Sequence, residues 1–441
     1  MTMLDRSGSL PGYFPSGWPT EAGGPRRQKA TNGSGPGRLD PSTVGVTTRH
    51  TNQWNIMFVQ RAEGELYLQG TTNPGDMRAY GWVERVDPIT LDPIASSGPL
   101  ACGNHVWCGA VAIHGNGDLY TVNGSFAHRL DEACQVVTER QLPVDHAHNG
   151  FLILSDGSLI TKDLRLEGRG NSTVTLLDPD LNVVTVLNLP EPSMGRIAAD
   201  VRTDGEWIVV PGTEHLFRIR AGHGRLELDT GWRPRYRNTD DQHGLAWDAC
   251  LSDDAVWIMD NGDIAGIRAI FAVHPNGFFD TARPPIGLQI PTPWTGAQRL
   301  IRVDWDSAAV TAIEPFGAER GWIIAPPVHV EPQGIAISWD SGNGRAAAHR
   351  WGRTSSPELL WERSLRITMQ PLVYPDSGEL VVNDLQPGVD DNLVVLDLET
   401  GDELLRSETG STMANGMFLS PGWDHDVYYC SRRTIARVGP H

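Results

Sequence analysis

The chain has 441 residues, with 54 acidic and 36 basic side chains, which gives a formal net charge of −18 at neutral pH. A chain this acidic, without clustered basic residues, is not expected to bind nucleic acid or anionic membranes. No apolar run is long enough to cross a bilayer, and the first residues lack the basic and apolar segments of a secretory signal. The sequence therefore predicts a cytoplasmic protein.

The N-terminal residues 1–40 are rich in Gly, Pro, Ser and Arg, as in the stretch GGPRRQKATNGSGPGRLD. They contain too few apolar residues to become ordered unless they lie across the rest of the protein. We therefore predict a flexible segment over 1–40 and a folded domain over 41–441. The first strand of that domain is expected between Ser42 and Arg49.

A repeated strand pair organises the remainder of the chain. It is clearest between Asp145 and Asp163, where Asn149-Gly150 precedes an apolar strand and an Asp-Gly turn connects it to a second strand. Such a turn between two apolar runs is a strong hairpin signal. The pattern recurs after positions 55, 108, 149, 196, 243, 333, 370 and 415.

This spacing of 37 to 53 residues, with one interval of 90, is typical of an all-β propeller with four-stranded blades. We count eight blades, with seven as the alternative. The last blade contains only three strands, so the N-terminal strand is expected to complete it. The long interval includes a Pro/Gly-rich insertion at about 275–297, which we interpret as a lid over the channel rather than an oligomer contact.

The residues just before each inner strand should form a ring at one mouth of the central channel. Their amides suit the binding of a small polar substrate, although each could instead bridge two blades. The substrate-binding candidates are Asn55, Asn149, Gln333, Gln370 and Asn415, and Arg196 is the candidate partner for an anion or oxyanion.

Histidines are concentrated in the same ring. His146 or His148 is the candidate general base, and His243 is a second acid/base group or a metal ligand. Imidazoles that converge on the axis would suit a divalent metal ion, with His105, His148, His243 and Glu331 as the candidate ligands. Lys162 occupies an alternate position at the end of a strand, so its side chain is expected to be solvated.

Units such as NGFLILSDGSLITKD and NLVVLDLETGDELLR resemble the propellers of the quinoprotein-like and senescence-marker/gluconolactonase-like superfamilies over residues 50–438. A resemblance to pyrroloquinoline quinone dehydrogenases would imply a Trp after each Asp-x-x-Thr-Gly turn. The segment DLETGDELL has Leu at that position, so pyrroloquinoline quinone is not expected as a cofactor. The resemblance to gluconolactonase-like members implies a divalent cation held by Glu, Asn and Asp side chains. In this sequence Glu331, Asn149 and Asn415 could be such ligands.

The sequence thus favours a small-molecule enzyme, a hydrolase or lyase of the lactonase kind, with its active site at the mouth of the channel. The alternative is a non-catalytic propeller that binds a ligand or a protein, because a fold does not fix a function. The substrate, the presence of a divalent metal and the oligomeric state are left open.

Overall fold

The computed structural model describes residues 10–72, 78–105, 109–165, 170–237, 244–260, 295–322, 327–331, 333–353, 355–386, 389–411 and 418–441. In this part of the chain, 32 strands form eight antiparallel sheets of four strands each. The inner strands of neighbouring sheets contact one another, and the first sheet contacts the last. The protein is therefore an eight-bladed β-propeller, as predicted.

Each blade has the same order of strands from the channel outwards. The inner strands are β2 (Trp54–Gln60), β6 (Ala110–Ile113), β10 (His148–Ile153), β14 (Ala198–Arg202), β18 (Cys250–Leu251), β22 (Val328–Val330), β26 (Leu372–Tyr374) and β30 (Leu419–Pro421). The second strands are β3 (Leu66–Thr71), β7 (Leu119–Asn123), β11 (Leu159–Asp163), β15 (Gly205–Pro211), β19 (Ala255–Met259), β23 (Ile335–Asp340), β27 (Glu379–Asp384) and β31 (Val427–Cys430).

The third strands are β4 (Gly81–Val86), β8 (Phe126–Leu130), β12 (Thr173–Leu177), β16 (Leu216–Gly222), β20 (Leu300–Asp304), β24 (Arg345–Arg350), β28 (Asn392–Asp397) and β32 (Thr434–Pro440). The outer strands are β5 (Pro93–Ser96), β9 (Val136–Gln141), β13 (Val183–Asn188), β17 (Arg225–Leu228), β21 (Val310–Ile313), β25 (Glu358–Arg363), β29 (Glu403–Glu408) and β1 (Val44–His50). Burial decreases outwards, because the inner three strands pack between blades and the outer ones reach solvent.

The N-terminal strand closes the ring. β1 pairs antiparallel with β32 over its whole length, from Val44 opposite Pro440 to His50 opposite Thr434. The eighth blade therefore joins the two ends of the chain, as the shortage of strands in the last repeat predicted. Such closure leaves no gap between the first and last blades through which the ring could open.

Several turns between third and outer strands share one feature, an aspartate whose carboxylate accepts backbone hydrogen bonds. In blade 7, Asp397 accepts hydrogen bonds from the backbone N–H groups of Glu399 and Thr400, which fixes the turn. Trp361 of the preceding blade packs against Gly401 of this turn and donates through its indole nitrogen to Leu398 O at 2.9 Å. The tryptophan that packs on this turn of blade 7 therefore belongs to blade 6.

Blade 6 differs from the prediction in its register. The stretch after Gln333 was expected to be the inner strand, but it forms the second strand, β23, and the inner strand is the three-residue β22. The inner strand escaped detection because three residues are too few to show an alternating pattern. The insertion at 275–297 lies outside the described residues apart from its last three positions, while β20 and β21 are the expected outer strands of blade 5.

We call the face where the inner strands begin the top face, and the face where they end the bottom face. Residues 10–43, expected to be flexible unless they lay across the propeller, do lie across its bottom face and contain three short 3-10 turns (Glu21–Gly23, Pro36–Arg38 and Pro41–Thr43). Backbone hydrogen bonds of 2.7 to 2.9 Å join this segment to the inner strands at Gln60, Ile113, Ala199, Leu251 and Val373.

The segment also contacts blades 3 and 6 through side chains. Ile153 N donates to Tyr13 Oη at 2.9 Å, and Gln28 Nε2 donates to Glu331 Oε2 at 2.8 Å. The buried side chain of Trp18 lies in the apolar core of blades 7 and 8. The N-terminal segment therefore covers the bottom end of the channel. Among the residues described, no helix has both the length and the hydropathy needed to cross a lipid bilayer.

Candidate active site at the top face

A buried ionic network joins the N-terminal segment to the propeller. Arg27 donates to Glu21 Oε1 at 2.6 Å and to Asp248 Oδ2 at 2.8 Å, and the side chains of all three are almost completely buried. Burial alone would raise the pKa of Asp248, but the charges of Arg27 and Arg196 hold it below its ordinary value. Two acidic and two basic side chains thus balance their charges inside the channel.

Arg196, the predicted anion partner, belongs to this network. Its Nε lies 3.1 Å from Glu21 Oε2, and its backbone N–H donates to Asp248 Oδ1 at 2.7 Å. Its guanidinium lies 5.2 Å from the ring centre of Phe418 in blade 8. Arg196 therefore spans the channel from blade 4, and its charge is balanced by two carboxylates of the protein itself.

A half-exposed histidine and carboxylate pair lies above this network at the top face. His105 Nε2 is 3.3 Å from Asp145 Oδ1, and Ser125 Oγ donates to the same carboxylate oxygen at 2.9 Å. The side chain of His105 is 28% exposed and that of Asp145 is 60% exposed. A carboxylate that orients an accessible imidazole is the usual arrangement of a general base.

Local packing brings these residues together from three top-face connections. His105 precedes β6, Ser125 lies between β7 and β8, and Asp145 precedes β10. Gly124 has a φ of 52°, and a Cβ at this position would overlap the carbonyl oxygens of Cys102 and His105. Only glycine lets the loop that carries His105 lie against the turn that carries Ser125.

A second cluster adjoins the first. The rings of His105 and His146 are 5.7 Å apart, and Arg165 Nη1 donates to His146 Nε2 at 2.5 Å. Burial, and then the charge of Arg165, lower the pKa of His146, so its imidazole is neutral at neutral pH. Arg165 Nε forms an ion pair of 2.6 Å with the buried carboxylate of Asp163, which fixes the guanidinium at the edge of the mouth.

His148, by contrast, is buried below this surface. Its Nδ1 donates to His146 O at 2.9 Å, and its Nε2 has no hydrogen-bond partner in the described part of the chain. Burial lowers the pKa of His148 to about 4. His329 is also buried, and its ring stacks on Trp257 at 4.4 Å. Both histidines are neutral packing groups in the structure.

Lys162 is completely buried, so the expectation of a solvated side chain is wrong. Its Nζ donates to the carbonyl oxygens of Asp163 and Ser193 at 3.1 and 3.2 Å, and burial lowers its pKa to about 7. The chain's other lysine, Lys29, is buried as well, with a pKa lowered to about 8 by burial. Neither lysine is solvated because blade packing and the N-terminal segment cover them.

The predicted amide ring is only partly assembled at the top face. Asn55 Nδ2 donates to Ser431 O and Asn149 Nδ2 donates to Met194 O, at 3.1 and 3.0 Å, so each connects to a neighbouring blade or loop. Gln370 is buried beside blade 8. Gln333 lies at the bottom face, because blade 6 has the shifted register, and Asn415 lies outside the described residues.

The four predicted metal ligands are not brought together where they are described. Glu331 follows β22 at the bottom face, 3.1 Å from Arg26 Nη1, whereas His105 and His148 lie at the top face. His243 lies outside the described residues. In the ranges that the structure covers, no group of three or more His, Cys, Asp or Glu side chains could hold a metal ion.

Comparisons with solved structures agree with this architecture. Quinohemoprotein alcohol dehydrogenase from Comamonas testosteroni is similar with a TM-score of 0.58 and 12% sequence identity, over 96% of this chain and 81% of that chain. The enzyme ADHIIG from Pseudomonas putida HK5 gives a TM-score of 0.58 and 11% identity, over 97% and 80%. The Dos1 propeller gives 0.55 and 10%, over 89% and 94%.

The chain shares the propeller fold of these structures. The resemblance stated from the repeats is confirmed at this level, while its gluconolactonase-like part stays a prediction. At 10 to 12% identity the likeness concerns the fold alone. A scan of protein-family models and a search of curated protein sequences found no match to this chain.

Arg165 and Asp163 were not among the predicted site residues. Asp163 ends the second strand of blade 3 and Arg165 follows it. The end of every second strand lies at the top face because the inner two strands of a blade are antiparallel. Applying that rule to DLRLEGRG would have identified both residues. The acidic residue Glu21 and the basic residue Arg27 had no comparable signal, because their position depends on the path of a segment without regular strands.

Asp391 is a further buried titratable group at the top face. It accepts hydrogen bonds from Tyr429 Oη at 2.6 Å and from Asn383 Nδ2 at 3.0 Å, and burial raises its pKa to about 7. A carboxyl whose pKa is raised in the folded state binds more protons there than in the unfolded chain. This group therefore lowers the stability of the fold as pH rises from about 4 to about 7.

Replacing Asp391 by Asn should remove this pH dependence. We expect the free energy of unfolding of Asp391→Asn, relative to the original protein, to rise by about 1.4 kcal/mol per pH unit between about pH 4 and pH 7, and to stay constant above. Urea unfolding at several pH values measures the difference. Asp87→Asn is the control, because backbone hydrogen bonds from Thr90 and Ile89 lower the pKa of Asp87. The free energy of unfolding of Asp87→Asn, relative to the original protein, should therefore not change with pH over this range. The same lack of pH dependence in Asp391→Asn would contradict the prediction.

Proposed function

We propose that the protein is an enzyme that performs acid–base chemistry on a small polar molecule at the top face of the propeller, as a hydrolase or a lyase. The observation that carries this proposal is the half-exposed pair of His105 and Asp145 within contact of the cluster of His146 and Arg165. Two of the similar propellers are named as alcohol dehydrogenases, which are enzymes, but their oxidative chemistry is no part of the proposal.

The base in this proposal is His105. Asp145 holds its imidazole at 3.3 Å and is itself held by Ser125, so the ring is oriented without being buried. In hydrolysis, His105 takes a proton from a water molecule that attacks the carbonyl carbon of an ester or lactone, and the protonated ring returns that proton to the alcohol oxygen that leaves. In elimination, His105 takes a proton from the carbon next to a carboxylate, a double bond forms to the following carbon, and the hydroxyl group on that carbon leaves with the proton as water. Both steps need a neutral imidazole with an accessible nitrogen.

Arg165 stabilises the negative charge that either step creates. Its ion pair with Asp163 and its hydrogen bond to His146 Nε2 leave it 17% exposed at the mouth. A preoriented guanidinium beside a base is suited to a developing oxyanion or to a substrate carboxylate. His146 keeps Arg165 in place as a positioning residue, because its neutral ring accepts from the guanidinium. This assignment replaces the general base expected from the sequence at His146 or His148.

The channel itself is not used as a passage. The N-terminal segment covers the bottom end, and Glu21, Arg27, Asp248 and Arg196 fill part of the interior. Substrate and product would therefore enter and leave by the top face only. A site closed below excludes bulk water from one side, which strengthens its electrostatic interactions. Metal assistance stays a proposal from the sequence, and no step above depends on it.

The alternative is a binding platform. It is favoured by the inter-blade hydrogen bonds of Asn55 and Asn149, which give these amides a structural role without any ligand. If the protein is a binding platform, a ligand should bind at the top face and be released unchanged.

The test uses purified full-length protein and a panel of small aryl esters, γ- and δ-lactones and 3-hydroxy acids, with proton release and ultraviolet absorbance as readouts. We expect turnover of at least one panel member, lowered by a factor of about 10² to 10⁴ in His105→Asn and in Asp145→Asn. His223→Asn is the control on the bottom face, where Asn tolerates the positive φ of 51°. No turnover of the whole panel, or turnover unchanged in His105→Asn, would reject the proposal.

A further inference from the structure

The outer strand of blade 3 differs from the other outer strands of similar length. β13 has the sequence VVTVLN and carries no charge and no proline. In the described chain, all other outer strands of six or more residues carry charged side chains, namely β1 with Arg49, β9 with Glu139 and Arg140, β25 with Glu358, Glu362 and Arg363, and β29 with Glu403, Arg406 and Glu408. Charges on an edge strand prevent pairing with another chain, and β13 lacks that protection.

The shorter outer strands are protected by their length or by proline. β5, β17 and β21 have four residues each, and β5 begins with Pro93. β13 has six residues and exposes apolar side chains, with Val183, Val184 and Val186 at 41, 44 and 37% exposure. It is bonded to β12 along one edge, and no strand of the described ranges pairs with its other edge. Within the described residues, the backbone groups of that edge have no strand as a hydrogen-bond partner.

We propose that β13 pairs antiparallel with β13 of a second copy of this chain, which gives a two-fold symmetric dimer with a sheet that continues across the interface. The composition of β13 itself indicates the partner. A two-fold axis perpendicular to the sheet keeps every side chain on its own face, so it must lie at a residue that is opposite its own copy. An axis at Val186 places Val186 opposite Val186 of the second copy, Thr185 opposite Leu187, and Val184 opposite Asn188. No charges meet, and the two central pairs consist of Val, Thr and Leu, a composition that stabilises cross-strand pairs.

A charged partner is less suited to this edge. A strand with Lys or Glu would have to place those groups against valine side chains without a counter-charge on β13. A second β13 satisfies the backbone and the valines together. The interaction is independent of the chemistry proposed at the top face, because β13 lies at the rim of the propeller and the site lies over its channel.

The size and charge of the interface determine its strength. Two six-residue strands and their valines bury less than the roughly 1,200 Å² at which stable interfaces begin, so a dissociation constant in the micromolar range or weaker is expected. Each copy carries a net charge of −18, so repulsion between copies opposes the dimer. Because salt screens that repulsion, the dimer should be more populated at about 0.5 M than at about 0.05 M NaCl.

Sedimentation velocity of the full chain from about 5 to 200 µM, a range that brackets a micromolar dissociation constant, tests this inference. We expect the mass to rise from monomer towards dimer, more strongly at high salt. The double variant Val184→Lys with Val186→Lys should remain monomeric throughout, with far-ultraviolet circular dichroism and Tm close to those of the original protein. Val310→Lys, at a 39% exposed valine on β21, is the matched control and should associate like the original protein.

Two outcomes would overturn the proposal. The first is a chain that is monomeric at every concentration and salt level. The second is a dimer that persists in the double variant, which would place the interface elsewhere. If the double variant does not fold, the single change Thr185→Lys on the same strand replaces it, and the expected result is the same loss of association.

Discussion

A chain that begins at residue 32 is expected to lose the folded propeller and to accumulate as aggregates. The deletion removes the backbone carbonyls that pair with Gln60, Ile113, Ala199, Leu251 and Val373. Each such hydrogen bond contributes about 1 kcal/mol. It also removes Glu21 and Arg27, so the buried side chains of Arg196 in blade 4 and Asp248 in blade 5 each lose their nearest counter-charge and keep one another at 3.8 Å. The loss should therefore be comparable to the stability of a typical domain, about 5 to 15 kcal/mol.

Soluble yield, circular dichroism and the thermal transition of the shortened chain measure this effect. A synthetic peptide of residues 10–31 added during refolding should restore part of the soluble yield, and a scrambled peptide of the same composition should not. A monomer without residues 1–31 that melts at the original temperature would contradict the prediction. It would show that the bottom face is stable when open to water.

The second large effect is expected at Arg27. Its guanidinium neutralises Glu21 and Asp248 at 2.6 and 2.8 Å, with no exposed side-chain surface. Arg27→Met keeps most of the volume but leaves two buried carboxylates with Arg196 as their remaining partner in the network. Removing one member of a buried ionic network costs about 3 to 5 kcal/mol, and urea unfolding near pH 7.5 measures the loss.

Two further variants separate charge from packing. Arg27→Met combined with Glu21→Gln removes one charge of each sign, so it should be less destabilised than the sum of the single changes. Arg38→Met breaks an ion pair with Asp397 whose arginine is 42% exposed, and it should change the stability by less than about 1 kcal/mol. Equal effects of Arg27→Met and Arg38→Met would mean that the network does not depend on its burial.

These expectations give the N-terminal segment a role in the site as well as in stability. Lys29 of the segment donates to Pro327 O at 3.1 Å, just before β22. The segment therefore contacts the inner edge of blade 6 as well as the bottom ends of the inner strands. Its charged residues set the charge balance on the floor of that site, because they hold Arg196 and Asp248 in ion pairs.

The site shows where pattern recognition from the sequence was sufficient and where it was not. The structure places six of the candidates at the start of an inner strand or just before it, and therefore near the top face: Asn55, His105, His146, His148, Asn149 and Arg196. The sequence could not tell which of them reach solvent. His148 is buried and neutral, whereas His105 and His146, a few residues before their strands, line the surface. Burial at this level depends on how neighbouring blades pack.

Gln333 and Glu331 show a second kind of limit. Their expected place followed from the assumption that the first clear strand of each repeat is the inner one. The inner strand of blade 6 has only three residues, and the assumption shifted the whole blade by one strand. A shift of one strand reverses the direction of the chain, so both residues moved from the top face to the bottom face.

The sequence alone determined the all-β class, the eight blades and the closure by the N-terminal strand. These features depend on local patterns, namely apolar alternation, Asp and Gly turns and a regular spacing. Such patterns can be identified in the sequence because they involve residues that are close together in the chain. Only the tertiary structure decided the path of residues 10–43, the burial of both lysines and the pairing of His105 with Asp145 and of Arg165 with Asp163. Those depend on contacts between segments far apart in the chain, whose free energy comes from packing and charge neutralisation in three dimensions.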